Sequence, residues 1–340
     1  MNKVTTLGID LAKNLFFLIA LGADGKEEWR KRLRRGQLLD VITQLEPCQI
    51  AMEACASAHY WAREFEMRGH KVQLLPPQHV KGYLRGQKND YNDAMAIAEA
   101  SQHGRVRPAR VKTIEQQDEQ GFHRIRQQLV SERTCLINQT RGLLSEYGVV
   151  MREGEGAFRR VLPEVLEAED VRLSVQLRTL LRRQYNRLLA LDEELSWYEQ
   201  QLKRQAKEDP VCRRLNQLPA FGPVVSSAVK SWLGDGQQFQ RGRDAGAALG
   251  IVPRQHSTGG RERLLGITKR GDKYVRTQLI HGARSAVRAA QRKDDPLSQW
   301  VNELVARRGF NKAVVALANK LIRIAWVIVA RGEDYQPRLC

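Results

Sequence analysis

The chain has 340 residues, with 56 Lys or Arg against 38 Asp or Glu, a formal net charge of +18. That length allows two or three domains; 42% hydrophobic residues can bury a sizeable core, and 6% aromatic with 28% charged residues suits a helix-rich protein. A balance this basic points to a polyanion partner, and the excess is concentrated: residues 211–340 hold 23 Lys or Arg against 9 acids. A membrane partner is excluded by the lack of an unbroken apolar run of about 18 residues. The most apolar stretch, AVVALANKLIRIAWVIVA, is interrupted by Asn319, Lys320 and Arg323 and reads as a buried amphipathic helix. The start of the chain leads almost directly into a strand, without a signal peptide. Cys48, Cys55, Cys135, Cys212 and Cys340 are odd in number and lack metal-ligand spacing. That argues for a reducing bacterial cytoplasm, nucleoid-associated given the charge, and against zinc.

Residues 1–110 read as an α/β domain. VTTLGID predicts a strand, followed by a turn at Lys13-Asn14, a second strand, a turn at Ala23-Asp24-Gly25 and a third strand. A helix is expected around Gly36–Leu45, then a strand in QIAMEA, a helix through SAHYWAREFEMRGH and a short strand KVQLLP stopped by Pro76-Pro77. The resulting order, β-β-β-α-β-α-β, is that of an RNase H-like fold. A basic loop, HVKGYLRGQK, leads to a helix beginning near Asp90. Residues 111–208 carry leucines at spacings of three and four, among them Leu177, Leu181, Leu188 and Leu195. They predict two long helices in an antiparallel hairpin, broken near residues 148–163, forming a coiled-coil dimerisation arm; the alternative is a spacer within one chain. Residues 209–340 open with NQLPAFGPVVSSAV. There a helix-hairpin-helix-like turn can turn backbone N–H groups near Gly222 toward a phosphate. This last, mostly helical part completes the α/β plus all-α organisation.

Two constellations carry chemistry. Asp10 and Glu53 end two apolar strands, and Asp90 and Asp93 are spaced to share one face of a helix. Carboxylates on rigid elements suit Mg²⁺, with Mn²⁺ as an alternative, and a pair of such ions can activate an attacking oxygen and stabilise a leaving one. Taken singly each acid has a plainer explanation, Asp90 as a helix cap and Glu53 as a surface acid. An Asp after Ile in GID, where a strand would otherwise stay apolar, is the most specific of the four. The second constellation spans residues 250–286. It surrounds Ser257 and Thr258 with Arg254, Arg261, Arg263, Lys269, Arg270, Lys273 and Arg276, on a loop made tight by Gly259-Gly260. A hydroxyl ringed by guanidiniums is either a phosphate contact that positions DNA or a nucleophile whose phosphoryl charge the cations stabilise. Lys81, Arg85 and Lys88 in the basic loop, and the cations from Arg30 to Arg35, are further candidate nucleic-acid contacts.

The order GID, MEA and the Asp-x-x-Asp helix, followed by PRQHSTGG and GITKRGDKYVRTQLIHGAR, resembles the DEDD-type insertion-sequence transposases related to the Piv DNA invertase, the bridge-RNA-guided recombinases. The resemblance covers nearly the whole chain. It implies a RuvC-like domain, a coiled-coil arm and a C-terminal transposase domain of residues 209–340. Asp10, Glu53, Asp90 and Asp93 become the DEDD metal-site residues, and a serine in the C-terminal loop becomes joined to DNA. Members of that family carry the serine directly before the first glycine, which here is Thr258, while Ser257 lies one residue earlier. A primary hydroxyl is the less hindered nucleophile, so Ser257 is the expected residue and Thr258 the second candidate. The implied partners are donor and target DNA, a structured guide RNA, and further copies of the chain in a homodimer or homotetramer. Two other readings stand beside this one: a junction-resolving or structure-specific nuclease that uses water, and a non-catalytic nucleic-acid scaffold.

Overall fold

Apolar alternation and tight turns set the first part of the chain. In the computed structural model, which describes residues 3–87, 89–168 and 172–337, the chain divides into two compact units, residues 1–113 and 114–340. In the first, β1 (Thr6–Leu11), β2 (Leu15–Leu21) and β3 (Glu27–Arg34) form an antiparallel meander. Gly25, at φ +75°, closes the second turn with its N–H on the Gly22 carbonyl. Helix α1 (Leu38–Thr43), β4 (Gln49–Glu53), α2 (Ala58–Glu66) and β5 (Lys71–Leu75) follow. The five-stranded sheet runs β3-β2-β1-β4-β5, with β4 parallel to both β1 and β5. This is the expected strand and helix order. The short α3 (Pro77–Val80) and a 3-10 turn at Lys81–Tyr83 lead to α4 (Asp90–Gln102).

The sheet is covered on both faces. Leu7, Ile9, Phe16, Leu18, Ile50 and Met52 bury against Leu38 and Ile42 of α1 and Trp61 and Phe65 of α2. Helix α4 covers the other face with small residues: Ala94 and Ala98 meet Ile19 and Leu21, and Ala96, Ile97 and Ala100 meet Ala51 and Leu75. Gly8 makes this packing close. A Cβ there would lie 2.3 Å from the Ala94 carbonyl oxygen and 2.7 Å from the Ala98 Cβ.

The second unit is helical. Helix α5 (Ile114–Ser145) and α7 (Val175–Glu208) run antiparallel, with Glu119 opposite Gln205, Arg126 opposite Glu199 and Arg133 opposite Asp192. The expected break between them holds a helix of its own, α6 (Glu155–Glu167), with Pro163 inside it. Phe158, Leu162 and Leu166, each four residues apart, give α6 a buried stripe against Leu136, Leu144, Leu177 and Leu181. Its outer side is clipped by a cluster in which Arg159 bonds Asp192 and Glu155, and Arg133 approaches both acids.

The remaining elements are α8 (Pro210–Leu215), α9 (Pro223–Leu233), α10 (Gly242–Leu249), a hairpin of β6 (Pro253–Gln255) and β7 (Leu264–Ile267), α11 (Lys273–Ala290), α12 (Pro296–Arg308) and α13 (Phe310–Arg331). Helices α8 and α9 flank the turn ending at Gly222, and the turn packs on α11. A Cβ at Gly282 would lie 2.2 Å from the Ala220 carbonyl oxygen. By length and composition α13 is apolar enough to cross a membrane. Here its Val314, Leu317, Leu321, Ile322 and Ala325 form the core with residues of α9, α10, α11 and α12, as the sequence pattern predicts.

Candidate active site

Strand register brings the acids of the first unit to one place. Ile9 pairs with Met52 across the parallel β1 and β4, so Asp10 and Glu53 are the next rung and face the same side. Asp10 lies two residues from Gly8 and Glu53 two from Ala51, and both of those residues face α4. Helix α4 begins at Asp90, and its N-cap is Asn89, whose side chain accepts from the Asn92 N–H at 2.9 Å. Asp90 is therefore relieved of capping. It and Asp93 sit in the first turn, where the helix dipole favours negative charge.

One carboxylate oxygen from each of Asp10, Asp90 and Asp93 lies within 4.8 Å of the others, with Asp10 and Asp93 half-buried and Asp90 exposed. Octahedral Mg²⁺ with bonds of about 2.1 Å spaces its ligand oxygens about 3–4 Å apart, so small side-chain rotations close the set around one ion. The donors are all oxygen, which suits a hard cation. Glu53 is outside this trio but stands one strand over on the same face. The nearby Cys55 thiol is pushed above its ordinary value, first by burial and then by the neighbouring Glu53 and Asp10.

The basic loop of the second unit is a β-hairpin. His256 donates its backbone N–H to Arg263, and Thr258 and Arg261 exchange backbone hydrogen bonds around a Gly259-Gly260 turn, both glycines at positive φ. This two-residue turn needs φ > 0 at both positions, hence the glycine pair. Both hydroxyl residues are exposed. Strand alternation separates them: Gln255, Ser257, Glu262 and Leu264 share one face, and His256, Thr258, Arg261 and Arg263 the other. Ser257 Oγ accepts from the Gln255 side chain at 3.0 Å.

Comparison with known proteins gives the family of the chain. Residues 7–149 match the DEDD_Tnp_IS110 transposase model, and residues 212–297 match the IS116/IS110/IS902 family of transposases. The chain belongs to the IS110 family of insertion-sequence transposases. The transposase is 43% identical to the transposase for insertion sequence element IS1111A of Coxiella burnetii over 99% of this chain and 92% of the relative. It is 44% identical to a probable family 20 transposase of Pseudomonas aeruginosa, covering 98% of this chain and 99% of the relative. It is 39% identical to the transposase for IS1328 of Yersinia enterocolitica, again over 98% and 99%. As a transposase it cleaves and joins DNA, and its family is a DEDD type, which implies a divalent metal.

The other predicted contacts divide by exposure. Arg254, Arg261, Arg263, Lys269, Arg270 and Lys273 are exposed along the hairpin and its exit, and Lys81 and Arg85 are exposed in the first unit. Arg85 approaches Glu99 of α4 at 3.9 Å, and Lys88 lies outside the described residues. Gly222 is half-buried as the N-cap of α9. Arg276 corrects the expectation of a phosphate contact. Its residue is only 8% exposed, and its guanidinium donates to the carbonyls of Leu249 at 3.0 Å and Arg270 at 2.9 Å. It thereby clamps the hairpin's base, where Gly250 and Gly271 permit backbone contact that a Cβ would block.

A buried polar chain in the second unit escapes sequence reading. His123, only 3% exposed, has Nε2 3.0 Å from Ser227 Oγ and Nδ1 3.0 Å from the Tyr274 hydroxyl. Gln205 Nε2 donates to Glu119, so its oxygen accepts the Ser227 proton. Ser227 must then accept from Nε2–H, and Nδ1 must accept from Tyr274. Burial, with the nearby Arg126, pushes His123 down to about 4, holding the imidazole neutral. The chain joins α5, α7, α9 and α11. A lone His in a Gln- and Arg-rich helix gives no pattern that would reveal it; its helical offset of four from Glu119 is the sole trace.

Proposed function

We propose that the transposase recombines DNA by RNA-guided strand exchange through a covalent link between DNA and a hydroxyl of the β6–β7 hairpin. The convergence of Asp10, Asp90 and Asp93, with Glu53 on the adjoining strand, is the observation that carries the reading, because it supplies the metal-dependent half of such a reaction. The topology and helix cover of the first unit support an RNase H-like, RuvC-like domain. A division of the second unit near residue 208 into a coiled-coil dimerisation arm and a transposase domain is part of the same reading.

In the first step Ser257 Oγ attacks a phosphodiester phosphorus, forming an Oγ–P bond as the P–O3′ bond breaks. The serine proton is lost and the departing 3′ oxygen gains one. In the second step a 3′ hydroxyl from another strand attacks the phosphoserine, restoring a phosphodiester and the free serine, so bond energy is conserved and no nucleotide triphosphate is needed. Mg²⁺, or Mn²⁺, held by Asp10, Glu53, Asp90 and Asp93 would supply Lewis-acid stabilisation of the oxygens that gain charge. Arg261 and Arg263 share the face of Thr258, opposite Ser257, and with Arg254 they hold the DNA backbone around the hairpin. Thr258 is the second candidate for the nucleophile. Acids and hydroxyl lie on separate units, and assembly of a homodimer or homotetramer would make cutting depend on the complete complex.

Sequence choice is assigned to pairing between a structured RNA and both donor and target DNA, with the protein holding backbone. The test is strand exchange by purified protein with donor DNA, target DNA, Mg²⁺, and RNA transcribed from the element's flanking non-coding region. Recombinant product that requires both the RNA and Asp10 supports the reading. Product formed equally without RNA contradicts the guided part, and cleavage that survives Asp10→Asn contradicts the metal site.

A further inference from the structure

Glycines in α10 seat that helix against α13 beside a second basic surface. A Cβ at Gly242 would lie 2.9 Å from the Arg323 carbonyl oxygen, and one at Gly246 would lie 3.1 Å from the Asn319 side chain. Helix α10 therefore lies directly on α13. Together with α12 they bound a groove of about 690 Å³ whose lining includes Arg241, Arg243, Trp300, Asn319, Lys320 and Arg323. Among the described residues, none that lines it is acidic. Arg241, Arg243 and Arg323 are exposed, and Trp300 is half-buried, anchored against the core beneath.

The Lys320 ammonium sits 4.7 Å from the centre of the Trp300 ring. Lys320 therefore covers the ring face on the groove side, and a base stacks there only as its ammonium swings off the ring onto a phosphate. We infer that this groove binds a single-stranded segment of nucleic acid, with phosphates on Arg241, Arg243 and Arg323 and one unpaired base stacked on Trp300. Cations along a channel with an aromatic platform are what single strands require, since every base has a face to stack and the backbone supplies the charge. A paired duplex keeps its bases stacked on one another and would use the arginines alone. A strand displaced during exchange and an unpaired stretch of structured RNA present the same chemistry. The inference rests on the transposase reading for its ligand but not on the hairpin nucleophile.

The experiment is fluorescence anisotropy of the full-length protein with a labelled 12-nucleotide DNA strand, the same sequence as RNA, and a 20-base-pair duplex, each across a salt series. Trp300→Ala should weaken both single strands by about tenfold or more, leaving duplex affinity within twofold, and Trp300→Phe should restore most of it. Arg241→Ala and Arg323→Ala should each lower the salt slope for single strands by about one. A preference of one single strand over the other identifies the displaced DNA or the RNA as the source. Single-strand affinity and slope unchanged in all four variants, with wild-type binding intact, overturn the groove assignment. Loss of duplex and single-strand binding alike in the Trp300 variants, without a change in thermal stability, overturns the single-strand specificity. Failure of the wild type to bind any nucleic acid overturns the proposed strand-exchange function as well.

Discussion

At the scale of single residues, the acidic site depends on a glycine as much as on its acids. Asp10 meets Asp90 and Asp93 because Gly8, two residues earlier on the same face, lets α4 lie against β1. Gly8→Ala should push the helix outward and separate the carboxylates. Misplacement of about 1 Å can cost on the order of 10²-fold in rate, so strand cleavage should fall by about that factor while the protein stays folded. Mn²⁺ titration calorimetry should show weaker binding alongside it; unchanged affinity and rate would show that α4 tolerates the shift. Asp93→Asn should lose both metal binding and cleavage. The approach of Asp10 to Asp90 and Asp93 was legible in the sequence because strand ends and helix starts fix where such side chains point. The depth of Gly8's contact was not, since a glycine before an aspartate says nothing of what packs upon it. Arg276 shows the opposite failure: a cation among cations carries no mark in sequence that separates a buried clamp from an exposed contact.

At the scale of elements, the helices of the second unit are joined by buried polar groups as well as by apolar stripes. His123 is held neutral between Tyr274 and Ser227. Its ordinary value of about 6.5 applies to the unfolded chain, and in the fold it is pushed down to about 4 by burial and Arg126. As pH falls from about 6.5 toward 4 the unfolded state takes up a proton that the folded state refuses. The stability His123 confers is therefore complete above about 6.5 and lost toward 4, on the order of 3 kcal/mol. Urea unfolding followed between pH 7.5 and 4.5 should show this loss, and His123→Gln should flatten it; equal slopes in both proteins would contradict the assignment. Helix α6 gives a second check. Phe158 is fully buried, so Phe158→Ala should cost about 3–5 kcal/mol, read as a lower urea midpoint. The long helices α5 and α7 were readable from their leucine spacing. Helix α6 was not, because Gly148, Gly154 and Pro163 read as breakers while Phe158, Leu162 and Leu166 mark only one short stripe. The β6–β7 hairpin was read as a loop, since its strands are short and almost wholly exposed and so lack alternation between apolar and polar residues.

At the scale of the whole molecule, charge and chemistry are divided. Residues 211–340 carry most of the +18 net charge, whereas the carboxylate cluster lies in the first unit. Affinity for DNA should therefore be steeply salt-dependent through counterion release, and Asp10→Asn should leave that slope unchanged while abolishing cleavage. Filter binding across a salt series checks this, and a slope altered by Asp10→Asn would mean that the acids shape DNA binding itself. The central proposed chemical event is the joining of a hairpin hydroxyl to DNA. The measurement is denaturing SDS electrophoresis of labelled DNA after reaction with wild type, Ser257→Ala, Thr258→Ala and Asp10→Asn in Mg²⁺. A protein–DNA adduct that disappears in Ser257→Ala and Asp10→Asn but persists in Thr258→Ala is the predicted result. Cleavage without any adduct, untouched by either hydroxyl substitution, would contradict it and make water the nucleophile.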